Sequence, residues 1–151
     1  MSVNYRLIKC SPEAVFRVLA DGWLYPSWVV GASRIRDVDE HWPAVGAKLH
    51  HSFGIWPAVI DDSSEVVAWD SPHHAELRAR GWPTGEARVV LDVKPRRGPD
   101  GERWSVVRIV EHAVRGPATI IPTPLLDVPL YIRNIETLRR LAYLAEGGAA
   151  D

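Results

Sequence analysis

The sequence predicts a single α+β domain, in which a curved antiparallel sheet of six or seven strands wraps around a long C-terminal helix. Two short helices are expected directly after strand 1. Three observations support this fold class: a helix start behind the first strand, a long series of strand-like stretches, and one amphipathic helical stretch near the C-terminus. We expect the domain to span residues 1–146, with a disordered tail at 147–151.

Composition and charge limit the class of protein. The chain has 151 residues, of which 46% are hydrophobic, as in an ordinary globular domain with one core. Its 18 basic and 19 acidic residues give a net charge of −1, which disfavours nucleic-acid binding. No stretch approaches the roughly 18 apolar residues of a membrane span, and no long apolar signal segment opens the chain. We therefore expect a cytoplasmic monomer or homodimer with no nucleic-acid partner and no integral membrane association.

The first element is a strand. Val3, Tyr5 and Leu7 alternate with Asn4 and Arg6, which is the period-two pattern of a strand with one buried face. The pattern places the three apolar side chains together on one side.

Two short helices are expected next. Ser11 can cap the first helix, and Pro12 suits its first helical position. Asp21-Gly22 ends this helix, and residues 25–31 have room for one or two further turns. The aromatic side chains of this segment are expected to cover one end of the sheet.

Strand-like stretches then recur, separated by short turns rich in proline, glycine and aspartate. Short turns favour antiparallel neighbours, so these stretches predict a meander. Whether 58–62 and 64–69 form one bent strand or two is left open by the pattern. The stretches are 34–39, 47–56, 58–62, 64–69, 75–80, 87–94 and 104–114.

The last element is expected to begin after the proline-rich stretch 117–129 and to form a helix of roughly four or five turns. One polar residue, Asn134, lies within its apolar arc. The charged residues Arg133, Glu136, Arg139 and Arg140 fall outside that arc. The arc consists of Leu130, Tyr131, Asn134, Ile135, Leu138, Leu141, Ala142 and Ala145.

Several short motifs occur in a characteristic order. They are Ser-Pro-Glu-x-Val-Phe at 11–16, Trp-x-Tyr-Pro-x-Trp at 23–28, Trp-Pro-x-Val-Gly at 42–46, Asp-Ser-Ser-Glu-Val-Val at 62–67, Glu111 followed by Gly116-Pro117, and Arg-Asn-x-Glu-x-Leu-x-x-Leu at 133–141. With this order of elements, nearly the whole chain resembles the START-like (SRPBCC) superfamily and its polyketide cyclase/dehydrase-type bacterial members.

The resemblance implies a helix-grip fold with an elongated apolar cavity between the sheet and the last helix. Members of this superfamily bind lipids, hormones or polyketides, and some cyclise or dehydrate such ligands. Fold similarity does not select among these activities.

His51 is the first candidate for site chemistry. The alternate set Ala47, Leu49, His51, Phe53 and Ile55 is apolar except for the histidine, so we expect His51 to face the core. An inward histidine can hydrogen-bond a ligand carbonyl or act as an acid or base near neutral pH. The alternative is a core histidine satisfied by a backbone carbonyl.

Glu111 is the second candidate. In stretch 104–114 we prefer the set with Val107, Ile109, Glu111 and Ala113 as the inner face, because the other set carries two groups that can be charged. A carboxyl group enclosed in the cavity is suited to acid–base catalysis unless it is paired. The alternative is a glutamate at the rim or in an ion pair. Its expected partners are Arg78, Arg80 and Arg88 on neighbouring strands.

Further cavity residues are expected from the last helix and a strand end. Asn134 and Tyr131 offer polar groups that either the protein or a ligand must satisfy. Trp82 and Trp56 each precede a proline where a ring can line the pocket mouth. The expected ligand-binding set is His51, Phe53, Ile55, Trp82, Leu91, Ile109, Glu111, Tyr131, Asn134 and Leu138.

Three functions fit these residues. The first is binding of a hydrophobic small molecule, such as a lipid, polyketide or aromatic metabolite. The second is a cofactor-independent cyclase or dehydratase that uses His51 and Glu111 as its catalytic groups. The third is a regulatory or interaction module whose cavity is filled by its own side chains. No metal or cofactor is expected, because the adjacent pair His73-His74 points to opposite faces of a strand and no convergent ligand set is visible.

Overall fold

The computed structural model describes residues 1–81 and 85–150. Its seven strands form one antiparallel sheet in the order β1-β7-β6-β5-β4-β3-β2. Every neighbour in this order except the pair β1 and β7 is also consecutive in sequence, as a meander requires. The strands are β1 (Ser2–Ile8), β2 (Ala32–Val38), β3 (Lys48–Ile55), β4 (Ala58–Asp70), β5 (His74–Gly81), β6 (Gly85–Arg97) and β7 (Arg103–Arg115).

Two short helices follow β1, as expected. Helix α1 (Pro12–Ala20) begins behind Ser11, whose side chain accepts a hydrogen bond from the Ala14 amide. A 3-10 turn at Gly22–Leu24 leads into helix α2 (Tyr25–Trp28). These helices cover one end of the sheet's inner face.

Strand β4 is one continuous strand, where alternation left one or two strands possible. It runs without a break through 13 residues from Ala58 to Asp70. A register shift between Val66 and Ala68 lies within its pairing with β5. The two stretches 58–62 and 64–69 are therefore one irregular strand.

Strand β1 turns the opposite face to the core from the one that its pattern predicts. Ser2 and Asn4 are buried, whereas Tyr5 is 66% exposed. Asn4 Nδ2 donates a hydrogen bond of 3.1 Å to the backbone carbonyl of Tyr131 on the C-terminal helix, and its Oδ1 accepts one of 3.0 Å from the Ser2 hydroxyl. Because β1 is an edge strand beside that helix, Ser2 and Asn4 find partners inside, whereas Tyr5 and Leu7 lie on the outer surface.

The C-terminal helix α3 (Thr123–Glu146) begins earlier than expected. Pro124 lies in its first turn, where a missing N–H costs no intrahelical hydrogen bond. Pro129 lies inside the helix, which continues past it. With 24 residues α3 is about 36 Å long at a rise of about 1.5 Å per residue, long enough to cross the sheet.

The core lies between the concave face of the sheet and helices α1, α2 and α3. It includes Val15 and Phe16 of α1, Leu49 of β3, Val107 of β7 and Leu141 of α3. One apolar cluster connects all these elements. The concave face of the sheet and helix α3 are therefore the two surfaces between which a cavity can lie.

Residues 147–150 follow α3 as hydrogen-bonded turns. The amides of Gly147 and Ala149 donate to carbonyls in the last turns of the helix, each at 3.0 Å. Ala150 is half-buried against the core. The domain limit at residue 146 and the disordered tail stay predictions, and Asp151 lies outside the described residues.

Candidate functional site

Two adjacent chambers lie between the sheet and α3. The outer chamber has a volume of about 230 Å³ and a mainly apolar lining. The inner chamber has a volume of about 40 Å³ and lies deeper, beside α2. Five residues line both chambers and form their shared wall: Phe53, Ala79, Arg80, Glu111 and Arg133.

Small and aliphatic side chains form most of the apolar lining of the outer chamber, and its charged lining residues are Arg80, Glu86, Glu111 and Arg133. Ala87 and Ala113 supply its floor from β6 and β7, where they are cross-strand partners. Leu126 and Leu130 of α3 cover it, and Ala118 closes it from the 3-10 turn that precedes α3. Alanines on the sheet leave the space that larger side chains would fill.

A buried polar network occupies the shared wall. Arg133 Nη2 donates to Glu111 Oε2 in a short ion pair. Asn134 Nδ2 donates to the same oxygen at 3.2 Å, and Arg133 Nη2 also contacts Asn134 Oδ1 at 3.3 Å. Glu111 is 4% exposed and Asn134 is fully buried. The carboxylate is therefore compensated by one cation and one amide.

Glu111 lies on the inner face of β7, as the preferred alternation predicts. Its ion-pair partner, however, comes from α3 and not from the neighbouring strands. Helical spacing predicts Arg133 outside the apolar arc, and that prediction is wrong. Position 133 follows Leu130 by three residues and precedes Thr137 by four, so it shares their face of the helix. The space between sheet and helix accommodates the guanidinium, and Glu111 compensates its charge.

His51 faces the inner chamber from β3 and is 2% exposed. Its ring stacks on the Tyr25 ring, with centroids 5.3 Å apart and planes at 22°. His51 Nε2 lies 3.0 Å from Ser64 Oγ. Burial lowers the pKa of His51, and the charge of Asp62, its cross-strand partner on β4, partly opposes this effect. The imidazole is therefore held neutral near pH 7.

The same serine contacts a second aromatic side chain. Tyr25 Oη lies 2.9 Å from Ser64 Oγ. Burial also raises the pKa of Tyr25, which keeps the phenol protonated. Tyr25, Ser64 and His51 thus form one buried hydrogen-bonded chain, and the chain ends at the wall of the inner chamber.

Phe53 is positioned by a glycine. Gly31 has a φ of +100°, and a Cβ at this residue would overlap the Phe53 ring. The ring therefore packs directly against the backbone of Gly31. Only glycine combines that close approach with a positive φ.

Some of the other expected ligand residues line a chamber and some do not. Ile109 lines the inner chamber. Leu91 and Leu138 lie in the solid core and line neither chamber. Trp82 lies outside the described residues.

Two of the expected ligand residues are exposed. Ile55 is 86% exposed, because it is the last residue of β3, next to the hairpin that leads into β4. Trp56, in that hairpin, is 84% exposed. Tyr131 is 50% exposed, because the inner face of α3 at this height carries Leu130 and Asn134. Neither Ile55 nor Tyr131 lines a chamber.

Sequence reasoning missed most of the lining of both chambers. Four of the missed residues have polar side chains beside the inner chamber. These are Tyr25, Ser64, Arg133 and Thr137, all of which line the inner chamber or bond its residues. A signal existed for Ser64, a small polar residue two positions before Val66 on the inward set of β4. No comparable signal pairs Tyr25 with His51, since 26 positions separate them in the sequence.

Among residues 1–81 and 85–150, no three His, Cys, Asp or Glu side chains are grouped closely enough to hold a metal ion. None of the helices in this part of the chain has the length and hydropathy to span a membrane. The expectations of no metal and no cofactor stay predictions.

Solved structures resemble this chain over nearly its whole length. A protein of unknown function from Staphylococcus aureus has a TM-score of 0.71 at 10% identity, covering 99% of this chain and 94% of that one. A conserved protein from Geobacillus kaustophilus has a TM-score of 0.71 at 17% identity, with 96% and 94% covered. Ara h 8.0201 has a TM-score of 0.68 at 11% identity, with 96% of each chain covered.

No protein-family model matches the chain, and no curated protein matches it. At identities this low, the solved structures show the fold and nothing finer. Together with the seven-stranded meander and the long helix α3, they confirm the expected fold class. The chain has the α+β helix-grip fold.

Proposed function

We propose that this protein binds a compact hydrophobic small molecule in the outer chamber. The observation that carries the proposal is an apolar space of about 230 Å³ between the sheet and α3, with a buried polar network in its wall. Removing apolar ligand surface from water supplies about 25 cal/mol per Å². The polar groups then fix the orientation of the ligand.

The volume selects among the ligands that the sequence suggested. Enclosed ligand pockets usually measure roughly 300 to 1,000 Å³, and the two chambers together lie just below that range. A two-chain lipid needs far more room. A bicyclic aromatic, a small polyketide fragment or a short-chain compound fits better.

The finer parts of the resemblance belong to this proposal. We place the protein among the polyketide cyclase/dehydrase-type members of the START-like superfamily, as a cytoplasmic monomer or homodimer. The ordered motifs at 11–16, 23–28 and 133–141 support this placement.

A cofactor-independent cyclase or dehydratase is the second candidate. It is favoured by one observation: both candidate catalytic groups, His51 and Glu111, line the same inner chamber. Such a reaction requires the His51 tautomer whose Nδ1 carries no proton. That nitrogen would accept a proton next to a ligand carbonyl, and Asn134 would stabilise the enolate oxygen. Because Glu111 is held by Arg133 and Asn134, His51 is the better base.

A module with a filled cavity, the third function considered, is disfavoured. Among the described residues, side chains line the outer chamber and leave it open. Two of the described tryptophans lie away from it. Trp28 packs in the core, and Trp56 is exposed.

Two measurements test the proposed binding. Native mass spectrometry of freshly purified protein detects a co-purified apolar compound. Thermal shift with 2-isopropenylnaphthalene and 2-acetylnaphthalene detects binding of compact two-ring ligands. We expect a rise in melting temperature with at least one of these compounds.

A cavity-filling variant provides the control. Ala113→Phe places a ring in the outer chamber and should abolish the ligand-dependent shift. Ala44→Phe adds the same atoms at an exposed turn and should leave the shift unchanged. If no apolar mass co-purifies and neither naphthalene stabilises the wild-type protein, the proposed function is wrong.

A further inference from the structure

The hydrogen-bonded chain beside the inner chamber has a defined number of protons. Tyr25 Oη carries one proton, Ser64 Oγ carries one, and a neutral imidazole carries one. Ser64 Oγ is the shared partner of Tyr25 Oη and His51 Nε2. All three side chains are buried, so water cannot satisfy an unpaired group.

One arrangement of protons satisfies every group of the chain but one. If Tyr25 donates to Ser64 and Ser64 donates to His51 Nε2, both hydroxyl protons have acceptors. The imidazole proton then resides on Nδ1. In the two other arrangements His51 Nε2 donates to Ser64. If Ser64 then donates to Tyr25, the Tyr25 proton has no acceptor, and if Tyr25 donates to Ser64, the Ser64 proton has none. Both arrangements also leave Nδ1 unpaired.

His51 Nδ1 is the group left over. It is buried and has no hydrogen-bond partner among the described residues. The lowered pKa of His51 agrees with a single ring proton. The preferred tautomer therefore leaves Nδ1–H as an unused donor on a side chain that lines the inner chamber.

The inner chamber is small and its charges are balanced. A volume of about 40 Å³ accommodates one small polar group and excludes the body of a ligand. Three charged side chains line it: Glu111 and Arg133 compensate each other, and Arg80 pairs with Glu86 at 3.3 Å. A second carboxylate would lie beside Glu111 with the same charge, which is unfavourable at low dielectric.

We infer that the inner chamber receives a neutral carbonyl oxygen of the ligand, which accepts a hydrogen bond from His51 Nδ1–H. The apolar body of the same molecule lies in the outer chamber. This inference rests on the proposed function and makes it more specific. The ligand class is a compact ketone, aldehyde or ester with an apolar ring system, and neither a plain hydrocarbon nor a carboxylic acid.

Three matched compounds test the ligand class. In 2-isopropenylnaphthalene a CH₂ group replaces the carbonyl oxygen of 2-acetylnaphthalene at nearly the same shape, and 2-naphthoate carries a charge there. Without a buried donor, the hydrocarbon binds more tightly because it has no carbonyl to desolvate. With the donor, we expect the ketone to bind roughly five- to tenfold more tightly than the hydrocarbon, and the naphthoate to bind least.

The variant His51→Phe keeps an apolar ring and removes the donor. It should reverse the preference, so that the hydrocarbon binds more tightly than the ketone. A second measurement avoids dependence on this variant. Long-range ¹⁵N–¹H spectra of the wild-type protein report which ring nitrogen of His51 carries the proton, and we expect Nδ1.

Equal binding of ketone and hydrocarbon, tightest binding of the naphthoate, or a proton on Nε2 overturns this inference and leaves the proposed function standing. Binding of none of the compounds, with no co-purified mass, overturns both. A ketone preference that His51→Phe reverses supports the carbonyl site.

Discussion

The guanidinium of Arg133 on α3 and the carboxylate of Glu111 on β7 form an ion pair in the wall that the two chambers share. The carboxylate side chain is 6% exposed and the arginine side chain 25%. This pair links the sheet to helix α3 beside the proposed ligand site. It also makes Glu111 less available as a free base.

The first prediction concerns this pair. Glu111→Leu should lower the free energy of unfolding by about 3 kcal/mol, because it leaves a mostly buried guanidinium without its counter-charge. The double variant Glu111→Leu/Arg133→Met should recover most of the loss, since two apolar side chains pack in the same space. Urea denaturation measures all three proteins. Additive losses in the double variant would contradict a coupled pair.

An exposed ion pair on the same helix is the control. Glu136 pairs with Arg139 and Arg140 on the solvent side of α3. Glu136→Leu should change stability little, because solvent screens these charges.

The second prediction concerns the contact between Gly31 and Phe53. Gly46 also has a positive φ, of +90°, but a Cβ there meets nothing within 4 Å. Gly46→Ala should therefore cost about 1 kcal/mol for the backbone conformation alone. Gly31→Ala should cost about 1 to 3 kcal/mol more, because the methyl group displaces the Phe53 ring. Thermal unfolding of both variants checks this difference, and equal losses would show that the ring moves freely.

The third prediction is a pH dependence of stability. The folded pKa of His51 lies below its unfolded value of about 6.5, mainly because burial disfavours the charged ring. The unfolded chain then binds a proton more readily, so His51 lowers stability as the pH falls below about 6.5, until the folded pKa is passed. The nearby charges of Asp62, Arg36 and His50 modify this effect but do not reverse it.

His74 on the outer face of the sheet provides a control of opposite sign. Its hydrogen bond of 2.7 Å to Asp92 raises the pKa of His74. Its contribution is therefore present below about pH 6.5 and is lost as the pH rises through the folded pKa. Urea denaturation across about pH 5 to 8 should show slopes that change in opposite directions for His51→Gln and His74→Gln. Slopes that change in the same direction would contradict the assignment.

The fourth prediction tests the reversed face of β1. Asn4→Ala should cost about 1 to 3 kcal/mol, because the Ser2 hydroxyl and the Tyr131 carbonyl lose a buried partner. Tyr5→Ala removes a larger side chain from the same strand but should cost less than about 1 kcal/mol, because the ring is 66% exposed. Chemical denaturation of the two variants compares them directly, and a larger loss for Tyr5→Ala would restore the face that alternation predicts.

Much of the fold could be predicted because its signals are local. The cap at Ser11, the turn formers between the strands and the alternation around His51 and Glu111 each depend on residues within one element. Their order then identified the helix-grip arrangement. Alternation failed at β1, where a neighbouring helix offers hydrogen-bond partners to Asn4. Helical periodicity failed at Arg133, whose partner is on another element.

Local residue patterns were enough to predict the strands, the short helices, the existence of α3 and the inward direction of His51 and Glu111. The pairing of Glu111 with Arg133, the contacts of Tyr25 and Ser64 with His51 and the open space of about 230 Å³ could be read only from the folded chain. Periodicity encodes which face of one element is buried, whereas ion pairs, hydrogen-bonded chains and cavities depend on distances between elements that are far apart in the chain.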